Sequence, residues 1–85
     1  MGIEKYSIRY HKDIPNDLKK IEGEVKKRIQ ASLLSKIQMN PLLLGDPLRS
    51  TLAGYRRLRV GDYRIIYQID GDIIFVLIIV HKRNL

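Results

Sequence analysis

Three arginines and a short basic ending carry the chemistry this sequence can offer. Arg57 and Arg59 precede a Gly61-Asp62 dipeptide, Arg64 follows it, and the chain closes on His81-Lys82-Arg83-Asn84-Leu85. A guanidinium is a planar fork that matches phosphate, and it stays charged in proteins. An imidazole can exchange protons near neutral pH, although a histidine ending a strand is equally often a plain polar residue. No clustered carboxylates and histidines suggest a metal; His11 and His81 are the only histidines, and there is no cysteine. Phosphate loops, dinucleotide loops and a supported Ser-His-Asp set are missing too. An inventory of arginine, lysine and one histidine can still act on RNA, which carries its own nucleophile, the 2′-OH. The protein has only to orient that group in line, neutralise the pentavalent phosphate and manage protons.

These residues must be positioned by a hairpin. The run from Tyr55 to Gln68 is rich in aromatic and β-branched residues on either side of Gly61-Asp62, a dipeptide suited to a two-residue loop. With that loop, Val60 faces Tyr63, Arg59 faces Arg64, Leu58 faces Ile65, Arg57 faces Ile66 and Arg56 faces Tyr67. Cross-strand partners share a face. One face then collects Leu58, Val60, Tyr63, Ile65 and Tyr67 as core; the other collects Arg57, Arg59, Arg64 and Gln68. Like charges directly opposite repel, so an Arg59–Arg64 pair asks for an anion.

The remaining elements follow from pattern. Lys5 to Tyr10 alternates, with Tyr6, Ile8 and Tyr10 on one side, and predicts a first strand. Asp13 as N-cap and Pro15 predict a short helix to about Glu22 that buries Ile14, Leu18 and Ile21. After Gly23, Val25, Ile29, Leu33 and Ile37 mark one stripe of a longer helix from about Glu24 to Met39, ended by Asn40-Pro41. The lysines and arginines off that stripe, among them Arg28, suit a solvated face or an acidic partner. Residues 41–54 form a connection whose leucines (Leu42, Leu43, Leu44, Leu48 and Leu52) are expected to fill the core. Beyond an Asp70-Gly71-Asp72 turn, Ile73 to Val80 is apolar on both faces, as a central strand would be. Parity carried through that turn places Ile74, Val76, Ile78 and Val80 on the core face, and Phe75, Leu77, Ile79, His81 and Arg83 with the arginines. The order β-α-α-β-β-β predicts an α+β fold: one domain, residues 1–85, with a helical hairpin packed on a mostly antiparallel four-stranded sheet.

Bulk properties set the partners. Sixteen Lys+Arg against nine Asp+Glu give +7 in 85 residues, which favours a polyanion or an acidic protein, although a merely basic soluble protein is also consistent. No apolar run is long enough for a signal peptide or a bilayer span, so a cytoplasmic chain without membrane contact is expected. The arginine face also carries an apolar strip of Ile66, Phe75, Leu77 and Ile79, a mixture that suits RNA or an acidic amphipathic protein segment.

The run Gly54-Tyr55-Arg56-Arg57-Leu58-Arg59-Val60-Gly61-Asp62-Tyr63-Arg64-Ile65-Ile66-Tyr67, followed by an apolar strand ending in His81-Lys82-Arg83, resembles the RelE/ParE toxin superfamily. The likeness spans essentially the whole chain and is closest to the RelE branch. It implies a toxin of a type II toxin–antitoxin module that enters the ribosomal A site and cuts mRNA by 2′-OH attack, without metal or other cofactor. By position, Arg64 matches the arginine that contacts the scissile phosphate, and Arg83 the catalytic arginine closing the last strand. His81 falls where several ribosome-dependent relatives carry a histidine. Arg57, Arg59, Lys82 and Tyr55 are the implied RNA- and phosphate-binding residues. Relatives often carry a tyrosine after the terminal basic motif; this sequence stops at Leu85, so either His81 or Tyr55 substitutes, or activity is weak, or the natural chain continues further, and the general base is unassigned. A RelB-like antitoxin is the implied partner, besides the ribosome and mRNA. The ParE branch, whose members inhibit DNA gyrase, shares the hairpin motif, and a catalytically inactive corepressor derived from such a toxin is a third possibility.

Overall fold

The computed structural model describes residues 6–42, 44–48 and 54–85. The expected Lys5, Leu43 and Leu52 positions lie outside them. Strand β1 (Ser7–Tyr10) leads to α1 (Ile14–Lys19) and α2 (Gly23–Ala31), which continues as a π-helical turn over Ser32–Ile37. A two-residue strand β2 (Asp46–Pro47) precedes β3 (Tyr55–Val60), β4 (Tyr63–Asp70) and β5 (Ile73–His81), and a 3₁₀ turn (Lys82–Asn84) follows. The sheet order is β1-β5-β4-β3-β2, with β1 parallel to β5 and the other pairs antiparallel. The expected α+β architecture holds, with a fifth, edge strand supplied by the connection after the helices.

The helices cover one face of this sheet. Ile29, Leu33 and Ile37 of the predicted stripe are at most 2% exposed and meet Ile14, Ile65, Tyr67, Ile74 and Val76 in one core. Pro15 lies in the first turn of α1 as expected, and Asp13 holds the cap position but makes no side-chain cap bond. Its carboxylate lies 3.6 Å from His11 Nδ1 instead. The long helix is not uniformly α: Gln38 N–H donates to the Leu33 carbonyl, five residues back. Leu42 is exposed rather than core filler. No helix among the described residues is long and apolar enough to cross a membrane.

One irregularity redirects the sheet. Ile66 pairs with Ile78, whereas Tyr67 pairs with Val76, so Leu77 is an extra residue in β5. A bulge of this kind shifts side-chain parity on one strand. Below it, Ile74 and Val76 are fully buried under the helices as expected. Above it, the faces swap: Ile79 joins the core, and Ile78 is 43% exposed on the opposite face. The expected placement of Ile78 and Val80 in the core, and of Ile79 and His81 beside the arginines, is thereby reversed.

Candidate nucleic-acid interface

The hairpin forms in the expected register, Arg59 opposite Arg64 and Arg57 opposite Ile66, around a turn in which Gly61 has φ 59°. The face turned away from the helices therefore carries Tyr55, Arg57, Arg59, Arg64, Ile66 and Gln68. Register adds Arg9, whose partner is Phe75, and then Ile78 and Val80. Arg9 escaped sequence reasoning because only the parallel β1–β5 pairing assigns its face. Arg64 Nη1 donates to the Gly61 carbonyl at 3.0 Å and the Tyr63 carbonyl at 2.9 Å, which folds its guanidinium back over the turn. Arg57 Nε is buried without a hydrogen-bond partner, an arrangement that costs on the order of 1–3 kcal/mol until an acceptor arrives.

The chain's end is fastened to the same turn. Lys82 N–H donates to the Asp62 carbonyl at 2.7 Å, and Lys82 Nζ lies 3.6 Å from the Asp62 carboxylate. The terminal turn holding the exposed Arg83 thus sits beside the hairpin loop that separates Arg59 from Arg64. His81 is brought to a different place. Its ring meets Tyr63 edge-on, centroids 5.2 Å apart, and shares a small recess on the helix-covered side with Asp17, Lys20 and Asn84. Its Nδ1 accepts from the Arg83 backbone N–H at 3.2 Å, so it caps the terminal turn.

The structure adds a carboxylate that sequence reasoning left in a loop. Asp46 pairs with Arg57 across β2–β3, which sets it on the arginine face. Its position rests on a clasp beneath. Arg56 Nε donates to the Leu44 carbonyl and Nη2 to the Gly45 carbonyl, both at 3.0 Å. The buried Tyr67 hydroxyl lies 2.7 Å from each of the Pro41 and Leu44 carbonyls. Burial raises the Tyr67 phenol above its ordinary pKa, and the nearby Arg56 guanidinium opposes that rise. Gly45 has φ 74°, and a Cβ there would stand 2.8 Å from the Arg57 carbonyl oxygen, so only glycine admits this close approach. The signal available in sequence was Gly45-Asp46-Pro47 itself: a glycine for the turn and a proline suited to an edge strand.

Among the described residues, no group of three His, Asp or Glu side chains converges as a metal site would require. The face offers guanidinium groups to an anion, one carboxylate beside them and exposed apolar side chains (Phe75, Ile78) along its length.

Comparison with known proteins agrees with this geometry. Toxin RelG of Mycobacterium tuberculosis is 31% identical over 74 residues, which cover 87% of this chain and 85% of that protein. Toxin RelE3 of Methanocaldococcus jannaschii is 29% identical over 92% of each chain. The toxin–antitoxin complex RelBE2 of M. tuberculosis superposes with a TM-score of 0.83 at 29% identity, covering 91% of this chain and 98% of that one. The YoeB–YefM complex of Staphylococcus aureus follows at 0.71 and 25%, covering 89% and 95%. The model of the ParE toxin of the type II toxin–antitoxin system parDE matches residues 8–85, from β1 to the last residue, and the chain belongs to this RelE/ParE family of type II toxins.

Proposed function

We propose that this toxin is a ribosome-dependent endonuclease that cleaves mRNA in the A site by 2′-OH attack and so arrests translation. The observation that supports it most is the convergence of Arg57, Arg59 and Arg64 on one open face, with the Lys82-Arg83 turn fastened at its end. In the proposed reaction Asp46 takes the 2′-OH proton as the oxygen attacks the adjacent phosphorus. The 5′-oxygen leaves, taking up a proton from solvent to become a hydroxyl, and a cyclic 2′,3′-phosphate remains. Arg57 and Arg64 stabilise the charge building on the phosphoryl oxygens, the role for which a permanently charged fork is suited. Arg83 and Lys82 hold the flanking backbone, and Tyr55, at the far end of β3, offers a ring on which a base can stack. His81 serves by capping the turn that carries Arg83. A RelB-like antitoxin neutralises the toxin by laying an amphipathic segment over Phe75, Ile78 and Val80, next to the arginines.

The family model's ParE name supports a second reading, inhibition of DNA gyrase by binding, with the same exposed apolar strip as the contact. Translation in a cell-free extract and gyrase-dependent supercoiling, assayed side by side, separate the two. The nuclease reading expects mRNA cleavage and unchanged supercoiling, with cleavage lost in Arg64→Ala and Arg83→Ala at matched protein levels. Cleavage intact in both variants removes the assignment of those arginines, and inhibited supercoiling without cleavage removes the nuclease.

A further inference from the structure

The helix side of the hairpin loop holds a second basic recess, which meets the open sheet face at Arg59. It encloses about 270 Å³ between α2 and the end of β3, and Arg28, Ser32, Ser35, Arg59 and Gly61 line it. The Arg28 guanidinium lies across Gly61: a Cβ there would stand 3.2 Å from Nη1 and 3.6 Å from Cζ. Arg64 donates to the carbonyl of that same glycine from the other side. Two guanidinium groups thus flank one glycine, with Arg59 adjoining, and neither Arg28 nor Arg59 is in an ion pair among the described residues.

A second observation is independent of charge. The α2 helix gives way to a π turn at Ser32, and the recess is built on that turn. Widened turns of this kind are uncommon and frequently accompany functional sites. Here the turn places Ser32 and Ser35 in the wall of the recess that Arg28 borders. A charged fork, two hydroxyl donors and a glycine that keeps the wall low suit a tetrahedral anion. The volume is generous for a phosphodiester and too small for a folded partner element.

We propose that Arg28, Ser32, Ser35 and Gly61 seat one RNA backbone phosphate, so that the bound strand continues from the arginine face over the hairpin loop to α2. RNA is favoured over an acidic protein segment because the recess joins the proposed substrate face through Arg59 and sets two serines beside its guanidinium groups. This site rests on the proposed RNA-directed function.

Binding of a short 2′-O-methylated RNA, which cannot be cleaved, tests the site by fluorescence anisotropy over a range of salt. Arg28→Gln should weaken binding several-fold and lower the slope of log affinity against log salt by about 0.7, the loss expected for one single-strand phosphate contact. Lys27→Gln, an exposed neighbour outside the recess, should leave both unchanged. Inorganic phosphate should shift the Ser32, Ser35 and Gly61 amide resonances of the wild type and not of Arg28→Gln. Equal slopes for Arg28→Gln and wild type, or amide shifts indifferent to Arg28, overturn the site. Weakened antitoxin binding in Arg28→Gln with RNA binding intact overturns it in favour of an acidic protein. Binding is read without turnover, so an inactive protein that grips RNA through Arg28 refutes only the nuclease, and an active one indifferent to Arg28 refutes only this seat.

Discussion

Asp46 stands directly across the β2–β3 pairing from Arg57, on the sheet face that the helices leave open. Edge strand β2 exists for only two residues, yet it changes the chemistry of the face by putting a proton acceptor among groups that cannot accept. Arginine remains protonated in proteins, so no arginine on this face can serve as general base. Asp46→Asn keeps size and polarity and removes the acceptor. It should lower cleavage in a translation extract about 100-fold or more, the usual scale for a positioned base, while RNA affinity stays within about threefold. Loss of affinity in step with cleavage would assign Asp46 a positional role instead.

The clasp under Asp46 makes a stability prediction. Tyr67→Phe leaves the buried Pro41 carbonyl and the partly buried Leu44 carbonyl without the hydroxyl they share. Urea denaturation should show a loss of about 1–3 kcal/mol with an unchanged m-value. The same hydroxyl sets an alkaline limit. Its folded pKa is raised by burial, so above about pH 10 the unfolded chain sheds the proton that the folded chain retains. Stability therefore falls as pH climbs through that range, and Tyr67→Phe should flatten part of the fall. Tyr10, raised in the same direction by its own burial, should account for another part.

Two glycines with similar backbone angles should respond differently to alanine. Gly71 has φ 61° and open space around its missing side chain, so Gly71→Ala carries only the left-handed backbone cost of about 1–2 kcal/mol. Gly45, at φ 74°, adds a collision with the Arg57 carbonyl at 2.8 Å. Gly45→Ala should destabilise by clearly more than Gly71→Ala in thermal denaturation, and it should also depress cleavage by displacing Asp46. Equal losses would mean that β2 shifts freely.

How far the sequence could be read depended on whether each segment had a pattern to read. The hairpin from Tyr55 to Gln68 alternates and has a diagnostic turn, so its register is recovered pair by pair. The helical stripe Ile29, Leu33 and Ile37 is recovered because four-residue spacing survives the passage into a π turn. Ile73 to Val80 has no alternation: every residue is apolar, so nothing in the run marks the bulge at Leu77. Parity there can only be carried over from the previous turn, and one extra residue inverts everything after it. The arginine cluster was therefore legible and the position of His81 was not. Asp46 was hidden for a different reason, since a two-residue strand has no period.

His81 gives the sharpest test of that inversion. Within the RelE/ParE family likeness it stands where a proton carrier is expected, but β5 delivers its ring to Tyr63 and its Nδ1 to the Arg83 N–H. A capping acceptor and a proton carrier answer differently to substitution. Asparagine is a strong N-cap and cannot exchange protons at neutral pH, whereas alanine can do neither. If His81 acts by holding the terminal turn, His81→Ala should lower cleavage about fivefold, equivalent to a cap of about 1 kcal/mol, and His81→Asn should restore most of it. The restored variant should also keep the Lys82–Asp62 backbone hydrogen bond, visible as slow amide exchange at Lys82. Should Asn prove as deficient as Ala while that amide stays protected, the imidazole carries a proton after all, and the side chain must leave Tyr63 to reach the substrate.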